Sequence, residues 1–217
     1  MIGEFFIIKA RIKKRLEGMF NNGKDIVLDL GCGDNPHYYK NIKGNIVCLD
    51  IIKSDKTNIV ADADFLPLKK NSFDKVIMIN SLYYFKNPLN VLENLCPILK
   101  KNGKLIIIVP FMYPIHDAPD DKYRFTEFGL NTMLQDNFKV LSIEPVGGFF
   151  TLPSVVLHSI IKGIPLLFPK DIGNFFQALT YILWPLYIAA QLIGILDILD
   201  RTRRWPVYYI AVAQKKS

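Results

Sequence analysis

The sequence contains few cysteines, and those it has show no metal-binding pattern. Cys32, Cys48 and Cys96 are the three cysteines among 217 residues, and their spacing matches no common metal site. Cys32 and Cys48 fall in or beside predicted buried strands, where cysteine usually serves as a small apolar side chain. We therefore predict no metal centre, no disulfide framework and a reducing compartment.

Several other features are absent, and each absence narrows the class of protein. Internal repeats and low-complexity tracts are lacking, which disfavours a repeat array. The first residues are not typical of a signal peptide, because the basic residues follow the short apolar patch instead of preceding it. Half of the residues are hydrophobic, so the chain can bury a large core. We predict one cytoplasmic domain with an appendage. Peripheral association with the inner face of the membrane is a second possibility for its location.

The formal net charge is +7, and much of it lies near the two ends of the sequence. Basic residues cluster at 9–15 and again at 201–216. Such clusters suit either nucleic acid or an anionic membrane surface, so charge alone leaves both partners open. The first cluster lies in an amphipathic helix predicted over residues 3–20, which could pack on the following domain or bind a membrane.

Residues 25–148 alternate between apolar β-branched runs and helical segments. Strands are predicted at 25–30, 45–50, 57–61, 73–79, 103–109 and 138–145, helices at 35–42, 88–100 and 126–136, and a last strand at 207–213. This alternation predicts an α/β fold with a doubly wound, mostly parallel sheet covered on both faces.

Residues 26–33, Ile-Val-Leu-Asp-Leu-Gly-Cys-Gly, are the most informative stretch. A buried strand carries Asp29 near its end, and a turn with Gly31 and Gly33 follows. Open α/β sheets bind ligands at the carboxyl ends of their strands, so Asp29 is a candidate binding residue. Glycine permits unusual backbone angles and close approach of a cofactor. An ordinary strand-to-helix turn is the alternative.

Two further acidic positions fit a nucleoside. Asp50 ends the second strand about 20 residues beyond the glycine turn, where a carboxylate can accept hydrogen bonds from both ribose hydroxyls. Asp62 follows the third strand, and its carboxylate could accept from an exocyclic purine amine while the Ala63 N–H reaches a ring nitrogen.

Taken in order, these motifs resemble a class I S-adenosylmethionine-dependent methyltransferase. Val-Leu-Asp-Leu-Gly-Cys-Gly, an acid-ended strand, Asp-Ala-x-x-Leu-Pro and Ser-Phe-Asp-x-Val are most similar to the branch often labelled methyltransferase type 11. The resemblance covers residues 25–148. It implies a Rossmann-like sheet of seven strands with an antiparallel last strand, and S-adenosyl-L-methionine as cofactor.

The resemblance also implies roles for individual residues. It places Asp29, Gly31 and Gly33 along the methionine and ribose, Asp50 on the ribose, Asp62 and Ala63 on the adenine, Phe65 and Leu66 beside its ring, and Asn80 at the floor of the site.

A nicotinamide dehydrogenase is the nearest rival. Its fingerprint has a third glycine where this chain has Pro36. Asp34, with Asp29 nearby, also disfavours a pyrophosphate, whereas a sulfonium cofactor tolerates acidic neighbours. We therefore favour the methyltransferase.

The loop at 110–126 follows the fifth strand and carries the candidate catalytic residue. His116 is the best candidate for a general base, because histidine titrates near neutrality and Asp117 beside it could raise its basicity. Fixing the loop through hydrogen bonds is the alternative role for His116.

Other polar residues of this loop are candidates for acceptor binding. Arg124 could clamp a phosphate or carboxylate, and a salt bridge to Asp120 or Asp121 is the alternative. Tyr123 belongs to the same cluster, while Tyr84, after the fourth strand, could cover the acceptor or pack in the core.

An apolar insert at 149–205 separates the sixth and seventh strands. Residues 178–196 carry no charge, close to the roughly 20 residues that span a bilayer. Both strands must join one sheet, so a single membrane crossing is excluded. Peripheral membrane contact through 152–199, a lid or homodimer surface, and a membrane hairpin remain; Lys162 and the prolines disfavour the hairpin.

The sequence thus predicts four segments. The segments are an N-terminal amphipathic helix (1–24), a cofactor-binding core (25–148), an apolar helical insert (149–205), and a last strand with a basic tail (206–217).

The predicted activity is methyl transfer to a small or lipid-linked acceptor, at a hydroxyl. The resemblance of the loop at 110–126 to that of related enzymes suggests glycan or cell-envelope biosynthesis. A quinone or lipid C-methyltransferase and a non-catalytic methyltransferase-like binding module are the alternatives. Nucleic acid is disfavoured, because the aromatic-proline signature of base methylation is absent after the fourth strand.

Overall fold

The chain alternates strands and helices through most of its length. The computed structural model describes residues 6–20, 23–34, 36–115, 117–169 and 183–216. The helices are α1 (Phe6–Met19), α2 (Pro88–Ile98), α3 (Glu127–Leu134), α4 (Leu152–Gly163) and α5 (Trp184–Ile193). The strands are β1 (Ile26–Leu30), β2 (Asn45–Asp50), β3 (Ile59–Val60), β4 (Phe73–Ile79), β5 (Leu99–Pro110), β6 (Phe138–Val146) and β7 (Tyr208–Lys215). Short 3-10 helices occupy His37–Asn41, Ala63–Phe65, Leu82–Tyr84, Ile164–Leu167 and Gly194–Leu199.

The seven strands form one sheet in the order β3-β2-β1-β4-β5-β7-β6. Strands β1 to β5 pair in parallel, and β7 runs antiparallel to β5. The predicted doubly wound, mostly parallel sheet with an antiparallel last strand is confirmed. The strand order reverses between β1 and β4, and ligands of open α/β sheets bind in the crevice at such a reversal.

Strand β1 is buried on both faces, which explains its apolar sequence. Val27 and Leu28 are fully buried, and so is Asp29 next to them. Strand β5 is equally buried from Leu105 to Val109. Since a parallel sheet covered on both faces has no solvent side, such strands consist of continuous apolar runs instead of alternating ones.

Two helix boundaries differ from the sequence prediction. The helix predicted at 35–42 is a 3-10 helix at His37–Asn41, and the one predicted at 88–100 ends at Ile98. The Asn102-Gly103 pair, predicted to end that helix, lies inside β5, where Asn102 has a φ of 62°. There the pairing of β5 with β4 shifts from Leu99 opposite Phe73 to Lys104 opposite Lys75. A turn signal therefore marks an irregularity in a strand.

The chain divides into two compact units, as far as it is described. One comprises residues 13–111, 115–144 and 208–217, and the other residues 1–12, 112–114 and 145–207. The predicted division instead separated 1–24, 25–148, 149–205 and 206–217. No helix in the described part of the chain is long and apolar enough to cross a membrane.

Helix α1 buries one apolar stripe. Ile8 and Leu16 are almost fully buried, and so is Phe20 just beyond the helix. Basic side chains such as Lys9 and Lys14 are exposed. The helix therefore buries an apolar stripe and exposes basic side chains on its other side.

Candidate active site

Strands β1 and β2 bring two predicted cofactor residues to the same edge of the sheet. The parallel register sets Leu30 opposite Leu49, so the turn after β1 lies beside Asp50 at the end of β2. Asp50 Oδ2 accepts a hydrogen bond from the Gly33 N–H at 2.9 Å, and Oδ1 accepts one from the Ile52 N–H at 2.9 Å. Asp50 thus holds the glycine turn in place.

The two glycines of this turn are required for different reasons. Gly31 has a φ of 74°, and a Cβ there would lie 2.5 Å from the Cβ of Ser81. Ser81 is itself fixed, because its hydroxyl donates to the Leu30 carbonyl at 2.7 Å. Gly33 has a φ of 64°, yet no described atom lies within 4 Å of the position of its Cβ. Gly31 therefore fits the protein closely, whereas Gly33 borders open space.

Asp29 is a fully buried carboxylate with incomplete hydrogen bonding. Its Oδ2 accepts from the Tyr38 hydroxyl at 2.7 Å, while Oδ1 has no hydrogen-bond partner among the described residues. The Tyr39 hydroxyl is near this carboxylate but does not meet hydrogen-bond geometry. Burial raises the pKa of Asp29 to about 7, while the hydroxyls of Tyr38 and Tyr39 act in the opposite direction and the charge of Asp50 adds to the rise. An ionised carboxylate in this place needs a cation or a further donor.

The segment after β3 positions Asp62 at the same edge. The Asp62 side chain accepts from the Asp64 N–H at 3.0 Å and caps the 3-10 helix that begins at Ala63. Asp64 is fixed in turn by Asn90 of α2 at 2.8 Å. Asp62 is exposed and Ala63 is buried, so the carboxylate faces solvent from a fixed backbone.

Apolar side chains near these carboxylates are unusually exposed. Phe65 is 81% exposed, and Leu66 is half-buried. Ile51 and Ile52, directly after Asp50, are 66% and 72% exposed; sequence reasoning missed them. Their position directly after Asp50 was the sequence signal that could have identified them. Exposed apolar side chains at the ligand edge of a sheet can pack against a flat ring of a ligand.

Asn80 and Tyr38 also bear on this edge. Asn80 follows β4 with a φ of 55°, and its N–H donates to the Ile108 carbonyl at 2.9 Å. Tyr38 was missed by sequence reasoning, since nothing in its local sequence shows that its hydroxyl reaches Asp29.

The predicted acceptor loop brings Asp117 against Tyr84. His116, the predicted general base, lies outside the described residues. Its neighbour Asp117 accepts a hydrogen bond from the Tyr84 hydroxyl at 2.6 Å. Burial, together with this bond, raises the pKa of Tyr84 to about 12. Tyr84 and Asp117 are thus brought together, with Tyr84 as a neutral donor.

Arg124 and Tyr123 are engaged within the protein. The Arg124 guanidinium pairs with Asp121 through both carboxylate oxygens, with Nη2–Oδ2 at 2.6 Å. This is the salt bridge predicted as the alternative to substrate clamping. The Tyr123 hydroxyl donates to the Lys86 carbonyl at 2.9 Å. Both side chains therefore have structural partners.

The cysteines require a correction. The structure joins Cys32 and Cys48 as a disulfide, with a Cα–Cα distance of 5.8 Å, whereas the sequence prediction expected none. The two residues are 16 positions apart, but the glycine turn brings Cys32 back beside β2. Both remain buried, as predicted for small apolar side chains.

This edge coincides with the part of the chain that matches a known family. Residues 28–107 match the family model described as a methyltransferase domain, and the match runs from β1 through β5. The predicted resemblance to a class I S-adenosylmethionine-dependent methyltransferase is therefore confirmed over these residues. S-adenosylmethionine is the methyl donor that the sequence motifs imply for such a domain.

Similarity to individual proteins extends over different lengths. An uncharacterised protein of Methanocaldococcus jannaschii is 40% identical over 98 residues, covering 42% of this chain and 43% of that protein. The mitochondrial arginine-hydroxylase NDUFAF5 of Rattus norvegicus is 30% identical over 119 residues, covering 48% of this chain and 35% of that protein. The chain thus matches less than half the length of these relatives.

A solved structure supports the fold over nearly the whole chain. The putative sarcosine dimethylglycine methyltransferase of Galdieria sulphuraria superimposes with a TM-score of 0.62 at 14% identity, covering 96% of this chain and 86% of that one. The fold around the methyltransferase domain is therefore shared well beyond residues 28–107.

The residues at the ligand edge fit this cofactor. Asp29 Oδ1, which has no partner among the residues that the structure describes, is a buried acceptor that a cationic group would complete. The space beside Gly33 allows a ligand to approach the backbone.

Proposed function

We propose that the chain transfers a methyl group from S-adenosylmethionine to a small or lipid-linked acceptor, at a hydroxyl oxygen. The observation that carries this proposal is Asp29, a fully buried carboxylate at the ligand edge, one oxygen of which has no partner in the described part of the chain. An anionic ligand would leave that oxygen uncompensated, whereas the ammonium group of the cofactor can donate a hydrogen bond to it and offset its charge.

The remaining cofactor residues take tasks that their geometry permits. Asp50 binds the ribose hydroxyls; each of its oxygens already accepts one backbone N–H and retains a second lone pair. Asp62 and the Ala63 N–H bind the adenine edge. Phe65 and Leu66 flank the ring, and Ile51 adds an exposed apolar surface beside Asp50.

The acceptor-side residues carry the rest of the proposal. The cofactor supplies an electrophilic methyl group, so the chain's main task is to align the acceptor oxygen, which can contribute about 7–11 kcal/mol. His116 takes the hydroxyl proton as general base. Tyr84 and Asp117, held together at 2.6 Å, line the acceptor side, and Tyr123 and Arg124 support the same loop through their own partners. The acceptor belongs to glycan or cell-envelope biosynthesis.

Calorimetric titration with S-adenosylmethionine tests the cofactor half. Asp50→Ala should weaken binding by at least about 100-fold, because two ribose hydroxyls lose charge-assisted hydrogen bonds that contribute roughly 1.5–3 kcal/mol each. Asp136→Asn, which changes an exposed carboxylate outside the site, should leave binding unchanged. Absence of cofactor binding by the full chain would refute the proposal.

Transfer of a labelled methyl group into cell extracts tests the acceptor half. We expect the label on an oxygen atom of a product, either in the lipid extract or in the aqueous extract. Chemical cleavage of that product should release the label as methanol or as an O-methyl fragment. Label at carbon would replace the proposal with a quinone or lipid C-methyltransferase. Cofactor binding without transfer to either extract would instead support a non-catalytic binding module.

A further inference from the structure

The unit that comprises residues 1–12, 112–114 and 145–207 exposes many apolar side chains. Along α5 and the 3-10 helix that follows it, Tyr187, Gln191 and Gly194 are buried, which is a single stripe at helical spacing. The opposite side carries exposed large aliphatic residues, here called the apolar face: Leu186, Ile188, Leu192, Ile193, Ile195, Leu196, Ile198 and Leu199. A helix of a water-soluble protein normally has the reverse arrangement.

Polar groups lie on the inner side of the same segment. Asp197 accepts hydrogen bonds from Arg11 Nη1 at 2.8 Å and from the N–H groups of Phe150 and Thr151 at 3.0 and 3.1 Å. Gln191 is buried within the stripe. Polar residues inside and aliphatic residues outside indicate that the outer surroundings of this segment are apolar, because exposed apolar patches of this extent mark interaction sites.

A cationic cluster directly follows the apolar face. Ile198 and Leu199 are 78% and 64% exposed, and Arg201, Arg203 and Arg204 come next. These three arginines are exposed and form no ion pair with any described residue. The nearby Asp200 is occupied by the Phe149 N–H and by the backbone and hydroxyl of Thr202.

Aromatic residues adjoin both features. Trp205 follows the arginines and contacts Phe149 edge-on, with ring centroids 6.4 Å apart, and both rings are substantially exposed. Aromatic rings beside cationic residues are typical of proteins that lie at the boundary between lipid headgroups and acyl chains.

We infer that the apolar face and Arg201, Arg203 and Arg204 together bind the surface of an anionic lipid bilayer. The aliphatic residues enter the boundary of the acyl region, and the arginines contact anionic headgroups. Charge complementarity favours lipid over a second copy of the chain, because a symmetric dimer through this face would bring the same arginines together. The inference concerns a surface outside the methyltransferase domain and does not depend on methyl transfer.

Sedimentation of the full chain with lipid vesicles tests the inference. The probes are vesicles of phosphatidylcholine alone and of phosphatidylcholine mixed with phosphatidylglycerol. We expect binding to the mixed vesicles and much weaker binding to the neutral ones. The triple variant Arg201→Gln, Arg203→Gln, Arg204→Gln should bind mixed vesicles about a hundredfold more weakly, at roughly fivefold per arginine.

Matched variants separate the apolar and cationic contributions from general surface effects. Ile198→Ser with Leu199→Ser should weaken binding to mixed vesicles at least tenfold. Phe128→Ser, which removes an equally exposed apolar side chain of α3, should have no effect. Substituting the exposed Lys101, Lys104 and Lys139 with glutamine is the control for the arginine variant and should also have none. Equal losses in the controls and the test variants would overturn the inference.

Tryptophan fluorescence provides a second readout. The chain has two tryptophans, Trp184 and Trp205, and both belong to this unit. Mixed vesicles should shift their emission to shorter wavelength in the full chain and should not do so in the arginine variant. A chain that binds no vesicles but forms dimers that Ile198→Ser with Leu199→Ser dissolves would overturn the inference in favour of self-association.

Discussion

The cofactor edge and the acceptor loop use polar residues in opposite ways. At the cofactor edge, one buried oxygen of Asp29 has no partner among the described residues, and no described atom lies close to the Cβ position of Gly33. In the acceptor loop, Arg124 is paired with Asp121, and Tyr123 is bonded to the Lys86 carbonyl.

This difference separates prepared binding groups from structural ones. A buried carboxylate that is only half satisfied by the described residues destabilises the cofactor-free fold, and a ligand that bonds to the second oxygen would explain its position. A paired arginine already stabilises its loop and needs no ligand. We therefore expect substitutions at the cofactor edge to affect ligand binding, and substitutions of Arg124 or Tyr123 to affect mainly the loop.

The largest expected effect contrasts the two glycines of the turn. Gly31→Ala should destabilise the fold by about 3 kcal/mol, because it adds overpacking against Ser81 to the strain of a positive φ. Gly33→Ala carries only the backbone strain and should cost about 1–2 kcal/mol. Urea unfolding of both variants measures the difference, and equal losses would show that contact with Ser81 is not what requires Gly31.

A smaller effect should appear in the pH dependence of cofactor binding. Asp29 is protonated below about pH 7 in the cofactor-free protein and must ionise to pair with a cation. The Kd for S-adenosylmethionine should therefore fall about tenfold between roughly pH 6 and pH 8. Asp29→Asn should bind weakly and without this dependence, as titration across the range would show.

The same group makes a linked prediction for the stability of the cofactor-free protein. The folded pKa of Asp29 is raised above the ordinary value of 3.8, so the folded state binds the proton more tightly than the unfolded state. Its contribution is fully present below pH 3.8 and is lost as the pH rises through about 7. The free energy of unfolding, measured against pH, should fall between pH 3.8 and about 7 in the natural chain relative to Asp29→Asn, which cannot ionise at this position.

Removing one hydroxyl tests the partner of Asp29. The Tyr38 hydrogen bond lowers the pKa of Asp29, so Tyr38→Phe should move the midpoint of the pH dependence upward and weaken binding about fivefold at pH 7. Tyr123→Phe loses a similar hydrogen bond, to the Lys86 carbonyl, and should leave cofactor binding unchanged. If Tyr38→Phe and Tyr123→Phe weakened cofactor binding equally, the cofactor edge and the acceptor loop would not differ in the way described.

The smallest effect is expected from the ion pair of the acceptor loop. A double-mutant cycle of Arg124→Gln and Asp121→Asn should give a coupling free energy of about 1 kcal/mol in urea unfolding. Cofactor affinity should not change in any of the three variants. A coupling near zero, with a large rise in acceptor KM for Arg124→Gln, would instead assign Arg124 to substrate binding.

Local sequence patterns predicted the strands well because each strand carries its own signal. Asn45–Asp50 and Phe73–Ile79 match the predicted ranges, since buried parallel strands are apolar runs bounded by polar turns. The start of β5 at Leu99 was missed because Asn102-Gly103 has the local character of a helix end. Only pairing with β4 shows that this turn lies within a strand.

The candidate site was predictable in its motifs but not in its contacts. Asp29 and Asp50 could be singled out because they lie at strand ends, where the fold binds ligands. The bond from Tyr38 to Asp29 and the joining of Cys32 with Cys48 depend on the path of the turn, which the spacing of residues does not encode. Exposure of Ile51 is likewise a property of the folded edge.

The position of β7 between β5 and β6 has a consequence for synthesis of the chain. Strand β5 finds its second neighbour only in residues 208–215, after residues 147–207 have been made. During translation, the emerging protein therefore presents the aliphatic part of β5, from Leu105 to Val109, as an open sheet edge. Nascent chains stalled before residue 208 should be prone to edge-to-edge association and should depend on chaperones.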